Sequence, residues 1–433
     1  MRVYRLRVIP TPSQKQAIRL AFAVSRTAYN FANDRVRNGK VRPNFYDLRA
    51  EWIKRKGEAK SGPNDKLKWV VESGVHNKID AQAVRQLAAA YASNHAKTDN
   101  KGFTVQFRSF RKTRVETLNL EKISTSGPLK QFRPLPYVSK KKHAQCLVML
   151  GGHFAQVGGL LVEDKLKVIE RMMAEGRPLW DGKLTWDKRL QTFHFIYTYE
   201  LPPLPDPDPS FQNKRIVAAD PGAYPFQAWY SPTSGEHGRL LDGETQTLRL
   251  RCAKLDKLQS RLDRHKKHGG GGTMRQRRAS RKRLRRQLAR ERKRLTGWVE
   301  AAHYDCANVL LQSHDIVIQP IFEVSRLVIK ETRNIQSKTA RVIATWSHYK
   351  YRQRLKSASA RYAGRCVVDA REPGTSKTCT NCGAWNANLK VKDKIFICPT
   401  CGIHVDRQLA GARNNFFAAY GAAVGVGWDG IGG

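Results

Sequence analysis

The chain has 433 residues, and 79 Lys and Arg against 36 Asp and Glu give it a formal charge of +43. Forty per cent hydrophobic residues, nine Trp and sixteen Phe among them, are enough for real cores, which excludes general disorder, and the length fits two or three domains. No apolar run approaches the roughly 18 residues of a membrane span and the first residues lack a secretory core, so no membrane partner is expected. A charge this large calls for a polyanion, DNA or RNA. By itself it fits a basic ribosomal or chromatin protein equally well.

Residues 3–9 alternate apolar and basic side chains and predict a strand with one cationic face, Arg5 and Arg7. Pro10 and Pro12 end it, and Ser13 is expected as the N-cap of a helix with Ile18, Ala21, Phe22, Ser25 and Tyr29 on one stripe. Helical character continues to about residue 96, with a break around 57–63. Residues 103–108, 117–120, 146–150, 166–169 and 193–201 read as short strands. A helical block, 13–97, is therefore inserted after the first strand of a β-rich unit, 1–12 and 98–203. Alternating prolines between Leu201 and Pro209 predict a semi-rigid linker at 204–212.

Beyond it, residues 215–219 predict a buried strand ending in Asp220-Pro221-Gly222, with 226–230 as its antiparallel neighbour. After four glycines at 269–272, residues 275–294 hold twelve Lys or Arg and one acid, Glu291, with Leu284, Leu288 and Leu295 at helical spacing. Twelve cations with one counter-charge repel on a merely solvated face, so this helix, Arg281 and Arg285 included, is read as facing nucleic acid. A nuclear-import signal is compatible with it. A second helix at 298–312, a strand at 316–318, a helix at 335–362, a strand at 365–370 and a last helix at 408–420 follow. Residues 421–433 form a Gly-rich tail.

Cysteine spacing carries the most specific chemistry. Cys146, Cys252, Cys306 and Cys366 are scattered and read as reduced thiols in or near cores. Cys379-x2-Cys382 and Cys398-x2-Cys401 are separated by fifteen residues, the spacing of two thiolate knuckles around one tetrahedral Zn2+, in a reducing interior. Four sulfur ligands leave no place for a catalytic water, so the zinc is structural, and His404 is expected in a loop rather than as a fifth ligand. Three acids stand out. Asp220 ends a buried strand, Glu372 follows a strand and precedes Pro373, and Asp406 opens the final helix. Carboxylates gathered at strand and helix ends hold Mg2+ pairs. Singly, each reads as a cap or turn residue.

Resemblance joins the three acids. Ala219-Asp220-Pro221-Gly222 with Tyr230-Ser231-Pro232, residues 347–355, Glu372 to Cys379, the two knuckles, and Asp406-Arg407-Gln408 with Gly411-Ala412-Arg413-Asn414 resemble, in order and spacing, the transposon-encoded TnpB proteins over residues 215–420. They resemble more closely the eukaryotic and viral Fanzor proteins, which share a split RuvC nuclease with the type V CRISPR effectors. Residues 4–11 with Lys15, Tyr29-Asn30 and Phe107-Arg108-Ser109 match the family too. Residues 120–210 match by position only. Where TnpB carries its second RuvC acid, the strand at 316–318 runs into Gln319-Pro320. The Fanzor pattern has a substitute glutamate beside the zinc module, which Glu372 matches. Glu323 is the local alternative.

The resemblance implies an α/β and β multidomain protein. An oligonucleotide-barrel-like wedge domain with the helical recognition insert would precede an RNase H-like RuvC domain at 213–373 and 405–433, interrupted by a zinc ribbon at 374–404. It implies an RNA-guided DNA endonuclease with Asp220, Glu372 and Asp406 as catalytic ligands of two Mg2+, replaceable by Mn2+. Lys377 and Arg413 would contact phosphate, and Arg5, Arg7, Lys15, Arg108, Arg281 and Arg285 nucleic acid. The implied partners are an omega-type guide RNA and target double-stranded DNA pairing as a heteroduplex, with the protein a monomer in a ribonucleoprotein. A Fanzor-like protein would reside in the nucleus, a TnpB in the cytoplasm. The alternative function is guided DNA binding without cleavage, suggested by Gln319-Pro320. A basic zinc-ribbon protein that binds RNA or DNA passively is the third reading.

Overall fold

The computed structural model describes residues 2–95, 103–111, 113–121, 132–138, 143–148, 160–165, 167–168, 170, 181–199, 210–267, 271–370, 374–390 and 393–423. It divides into two compact units, residues 1–202 and 203–433. The linker prolines at 202–209, the glutamate at 372 and the tail from 424 lie outside the described residues. Among the described residues no helix is long and apolar enough to cross a membrane.

In the first unit, β1 (Arg2–Val8) is followed by α1 (Pro12–Arg37), α2 (Phe45–Ser61), α3 (Lys68–Glu72) and α4 (Asn77–His95). Then come β2 (Val115–Glu121), β3 (Phe132–Val138), β4 (His143–Val148), β5 (Leu160–Lys165), β6 (Asp181–Asp187) and β7 (Thr192–Tyr199). The strands form one antiparallel sheet in the order β2-β6-β7-β1-β5-β4-β3. Strand alternation puts Tyr4, Leu6 and Val8 of β1 in the core and leaves Arg5 and Arg7 exposed, because period two sends successive side chains to opposite faces. Ile18, Ala21 and Phe22 of α1 and Ile79 of α4 pack into the same core.

Two expectations change here. The N-cap of α1 is Thr11, not Ser13: its hydroxyl accepts from the Gln14 amide, the Gln14 side chain returns to the Thr11 amide, and Pro12 takes the first helical position. Proline is suited there because the first turn needs no amide donor. Residues 103–108 are not a strand. Side chains of α1 take up their backbone instead: Asn33 Nδ2 and Arg37 Nη2 donate to the Val105 carbonyl at 3.0 and 2.6 Å, and Asn30 exchanges two hydrogen bonds with the Arg108 backbone. The segment expected as a strand at 166–169 begins where β5 ends, and residues 166 and 169 lie outside the described residues.

The second unit contains β8 (Ile216–Pro221), β9 (Gln227–Tyr230), β10 (His237–Leu240), α5 (Glu244–Lys267), α6 (Met274–Ser313) and β11 (Ile316–Pro320). After them come α7 (Val324–Leu327), α8 (Ser337–Trp346), α9 (His348–Ser359), β12 (Cys366–Ala370), β13 (Ile395–Ile397), β14 (His404–Asp406) and α10 (Arg407–Ala423). A mixed sheet has the order β10-β9-β8-β11-β12, with β8, β11 and β12 parallel and β9 and β10 antiparallel. Its parallel strands are covered on both faces. Val217 and Val317 face a core shared with α5, α6, α8 and α9, while Ile216, Ala218, Ile316 and Ile318 face α10. Coverage on both faces explains the unbroken apolar runs of β8 and β11.

The helices expected at 275–294 and 298–312 are one helix of 40 residues, opened by a Thr273–Gln276 capping box. Leu284, Leu288, Leu295, Val299, Cys306 and Leu310 are buried along one stripe that crosses Gly297 without a break. A lone glycine costs about 1 kcal/mol in a helix interior, less than the burial of several leucines on either side contributes. Conversely, the helix expected over 335–362 is two. Ser347 adopts φ 54 and ψ 57 between α8 and α9, and this break turns His348 into the core. Gly297→Ala is expected to raise stability by about 1 kcal/mol, read as a higher urea midpoint, because an added Cβ there meets nothing within 4 Å.

Candidate active site and zinc module

The carboxyl ends of β8, β11 and β12 share one edge of the mixed sheet. Asp220, at the end of β8, lies on the face covered by α10, as the packing of Ile216 and Ala218 on that face requires. Asp220 pairs with Ala228 of β9, and Ala228 pairs with Arg239 of β10, so the three form a row on a single face. Helix α10 crosses that row with Gly411 above Asp220: a Cβ at 411 would stand 3.1 Å from the carboxylate carbon. The helix is tied down by Asn415 Nδ2 donating to the Ala219 carbonyl at 3.0 Å, and by Asn414 Nδ2 donating to the carbonyls of Thr375 and Thr378.

The two described acids differ in state. Burial pushes the Asp220 carboxyl up to about 7, with Arg407 opposing and Asp406 adding to the rise. Among the described residues its carboxylate accepts no hydrogen bond. Asp406 is held twice: Oδ1 accepts from the amides of Gln408 and Leu409 at 3.0 and 3.1 Å, capping α10, and Oδ2 accepts from Arg239 Nη2 at 2.6 Å. Glu372 lies outside the described residues. Glu323 stands after β11 as an exposed residue paired with Arg326 at 2.9 Å. Among the described residues it joins no group of metal-ligating side chains with Asp220 or Asp406. Gln319 is buried, its Oε1 takes no hydrogen bond, and strand parity sends it to the face opposite Asp220.

A neutral aromatic stack supports the turn that carries Asp220. Phe226 lies between the rings of His303 and His348, at 5.3 and 4.9 Å and interplanar angles of 15° and 17°, and its carbonyl accepts from the Gly222 amide at 3.1 Å. His303 Nδ1 accepts from Arg354 Nη1, so Nε2 carries the proton donated to the Trp346 carbonyl, both at 2.8 Å. Burial, then Arg354, lowers His303 to about 4; burial, then His303, lowers His348 to about 3. Both rings are therefore uncharged at neutral pH and stack without bringing charge into the core.

The four cysteine sulfurs of the zinc module lie within 4.8 Å of one another, with Cys379–Cys401 at 3.7 Å and Cys382–Cys398 at 3.5 Å. Four sulfurs about 2.3 Å from one tetrahedral ion lie close to these separations, so the donor set fits Zn2+. Each knuckle closes on a glycine at positive φ, Gly383 at 77° and Gly402 at 70°, and backbone amides of Asn381, Thr400 and Cys401 donate to sulfur. Burial pushes the Cys398 thiol up, but the amides of Cys401 and Thr400 and the neighbouring thiols bring it down to about 6. His404 lies in β14, opposite Ile397, outside the cysteine group.

The other expected nucleic-acid contacts differ in availability. Arg5, Arg7, Lys15 and Arg285 are exposed, and Arg281 is half-buried. Arg108 is committed internally: its guanidinium lies 3.7 Å from the Tyr29 ring and donates to Gln86 at 2.7 Å. Lys377 lies over the Trp385 ring at 5.5 Å, and Arg413 beside Tyr230 and Phe417. Arg239 went unnoticed in the sequence because its partner Asp406 is 167 residues away and nothing local marks the pair.

Two outcomes follow from these states. Asp220 holds its proton more tightly folded than unfolded, so stability falls as the pH rises from about 4 to about 7. Asp220→Asn removes that loss. In zinc-loaded protein without Mg2+ or Mn2+, its melting temperature is expected to exceed wild type by a few degrees at about pH 8 and to match it near pH 4. Chelation is expected to release one Zn2+ per chain, counted by a colorimetric dye, and to shift the fluorescence of Trp385, which packs over Gly374 beside the module.

Comparison with known proteins comes to the same place. Residues 348–415 match the family described as Cas12f1-like, TNB domain, and residues 1–35 the family described as helix-turn-helix domain, although here 1–35 are strand β1 and the single helix α1. The TnpB-like proteins L79 and L770 of Acanthamoeba polyphaga mimivirus are each 28% identical over 207 residues, 47% of this chain and 37% of theirs. The match thus spans little more than a third of these curated relatives. A cryo-EM structure of a Cas12f1-sgRNA-target DNA complex superposes with a TM-score of 0.54 at 13% identity, over 93% of this chain and 80% of that one, a likeness of fold. Motif order, fold and relatives agree in their direction: the chain is similar to TnpB-like proteins, and its residues 348–415 to the Cas12f1-like TNB domain.

Proposed function

We propose that the chain is an RNA-guided DNA endonuclease whose acid site is Asp220, Glu372 and Asp406 with divalent cations, Mg2+ or Mn2+. The observation that carries the proposal is the Asp220 carboxylate, half-buried beneath Gly411 on the α10 face without a hydrogen-bond donor among the described residues and beside a second carboxylate, Asp406. An uncompensated buried acid costs several kcal/mol, and oxygen ligands of this kind suit hard divalent cations. Glu372 is favoured over Glu323 because the resemblance puts the substitute glutamate beside the zinc module, where 372 stands in the sequence, whereas Glu323 is exposed and paired with Arg326.

Divalent cations held there would activate water and stabilise the leaving oxygen of a phosphodiester. Asp220 and Asp406 would hold the ions, and the helix cap on Asp406 Oδ1 fixes its orientation. Lys377 and Arg413 would meet the phosphate backbone of the displaced strand. The zinc module is structural and braces α10 through Asn414. Helix α6 presents its cations to a guide–target heteroduplex gripped by backbone shape, with sequence read by base pairing. The first unit, a barrel-like wedge with its helical insert at 13–97, would hold the guide RNA and read a short DNA motif, with Arg5, Arg7 and Lys15 on its exposed surface. The particle would be one protein on one RNA, nuclear where the host has a nucleus.

The test is cleavage by the full chain purified with its RNA. Sequencing that RNA identifies a discrete guide with a variable end. Target DNA is expected to be cut only with Mg2+ or Mn2+, and Asp220→Ala and Glu372→Gln are each expected to lower the rate at least ~100-fold, with Glu323→Gln near wild type. Full activity in Asp220→Ala overturns the site. Guided binding without product in any divalent metal would establish the non-cleaving reading suggested by Gln319-Pro320. Random cellular RNA would favour passive binding.

A further inference from the structure

Asp406 is gripped by a cation that the nuclease reading leaves unexplained. Arg239 occupies the row Asp220–Ala228–Arg239 on the acid face and donates to Asp406 Oδ2 at 2.6 Å. Burial opposes and Asp406 strengthens its charge, and Asp406 prevails. The orientation of Asp406 does not depend on this contact, because Oδ1 is fixed by the amides of Gln408 and Leu409. Arg239 is on the edge strand, with 42% of its side chain exposed and a second carboxylate, Asp242, 3.4 Å from Nη1. The guanidinium has a grip on the site and a seat beside it.

We infer that Arg239 is a built-in counter-cation: a positioning residue that holds Asp406 Oδ2 while no divalent ion is bound, and shifts to Asp242 when an ion takes that oxygen. This rests on the acid-site reading above. A guanidinium and a dication cannot both approach one carboxylate oxygen, because like charges at that separation repel strongly. A dication gains enough from Asp220 and Asp406 together to displace Arg239, and a monovalent ion, with half the attraction, does not. In a chain of +43, a tethered cation also keeps Asp406 from being captured by other lysines and arginines of the chain. Arg407 is anchored through Nη1 to the Lys390 carbonyl at 3.1 Å, and its charge acts on Asp220.

The test is direct Mn2+ binding to the full-length, zinc-loaded protein at high salt, followed by the electron paramagnetic resonance signal of free Mn2+. Arg239→Gln is expected to bind Mn2+ about 5- to 10-fold more tightly than wild type, because competition is removed while the cap still orients Asp406. Arg239→Lys keeps the cation and is expected to stay within about twofold. Asp242→Asn removes the second seat and is expected to weaken binding a few-fold. Arg249→Gln, on the exposed side of α5, controls for net charge and is expected to change nothing. Equal or weaker binding by Arg239→Gln, or equal tightening by Arg249→Gln, overturns the inference. If Asp220→Ala and Asp406→Ala titrate like wild type, the acid site itself is wrong, a result distinct from failure of the arginine.

Discussion

The second unit is organised around a half-buried carboxylate that α10 shields from most of the water. Asp220 ends a strand whose preceding residues are all apolar and buried, so its backbone cannot move outward without exposing them. Helix α10 then passes so close that only a glycine fits above it. Removing a carboxylate from water without a partner costs several kcal/mol unless it keeps its proton or gains a cation. The structure accepts that cost and raises the acid to about 7. Small residues around it follow from the same constraint: Ala228 beside it in the sheet, Gly411 above it, and Asn415 pinning the helix to the carbonyl of Ala219.

The neighbouring core keeps charge away from that acid. Two histidines beside Phe226 are held neutral by burial, and the cation at their edge, Arg354, donates to His303 through one nitrogen and to Glu300 through the other. Neutral rings pack as large apolar bodies, and His303 still uses both nitrogens, one toward the Trp346 carbonyl and one toward Arg354. The αL residue Ser347 allows this, since a continuous helix would carry His348 along a different face. The same division serves α6, where a buried leucine stripe anchors the helix and leaves the arginines on the other side in water. Most of the cations there are exposed, Arg294 being paired with Glu291, and exposed positive charge suits a polyanion.

Legibility followed the range of the interaction. Alternation in β1, the apolar stripe of α6, the strand before Asp220 and the knuckle spacing depend on residues within a few positions of one another, and each could be read directly. The N-cap at Thr11 was misplaced by two residues because two serine or threonine hydroxyls compete there and the proline decides between them. The 103–108 segment looked like a strand because its composition is that of one; asparagines of α1 took its hydrogen bonds instead. The helices expected at 275–294 and 298–312 join across Gly297, because burial on both sides of it outweighs a local cost.

By itself, then, the sequence determined most of the elements, the four cysteines that come together and the excess of positive charge, because spacing and charge are properties of the chain. Resemblance added which acids belong together. Only the tertiary structure decided their states: that Asp220 is desolvated beneath Gly411, that Gln319 lies on the opposite face, and that Asp406 is shared between a helix cap and Arg239. Those facts depend on contacts between residues up to 196 positions apart. They depend also on the two-residue parity of strands in register, which fixes a face only once the pairing partners are known.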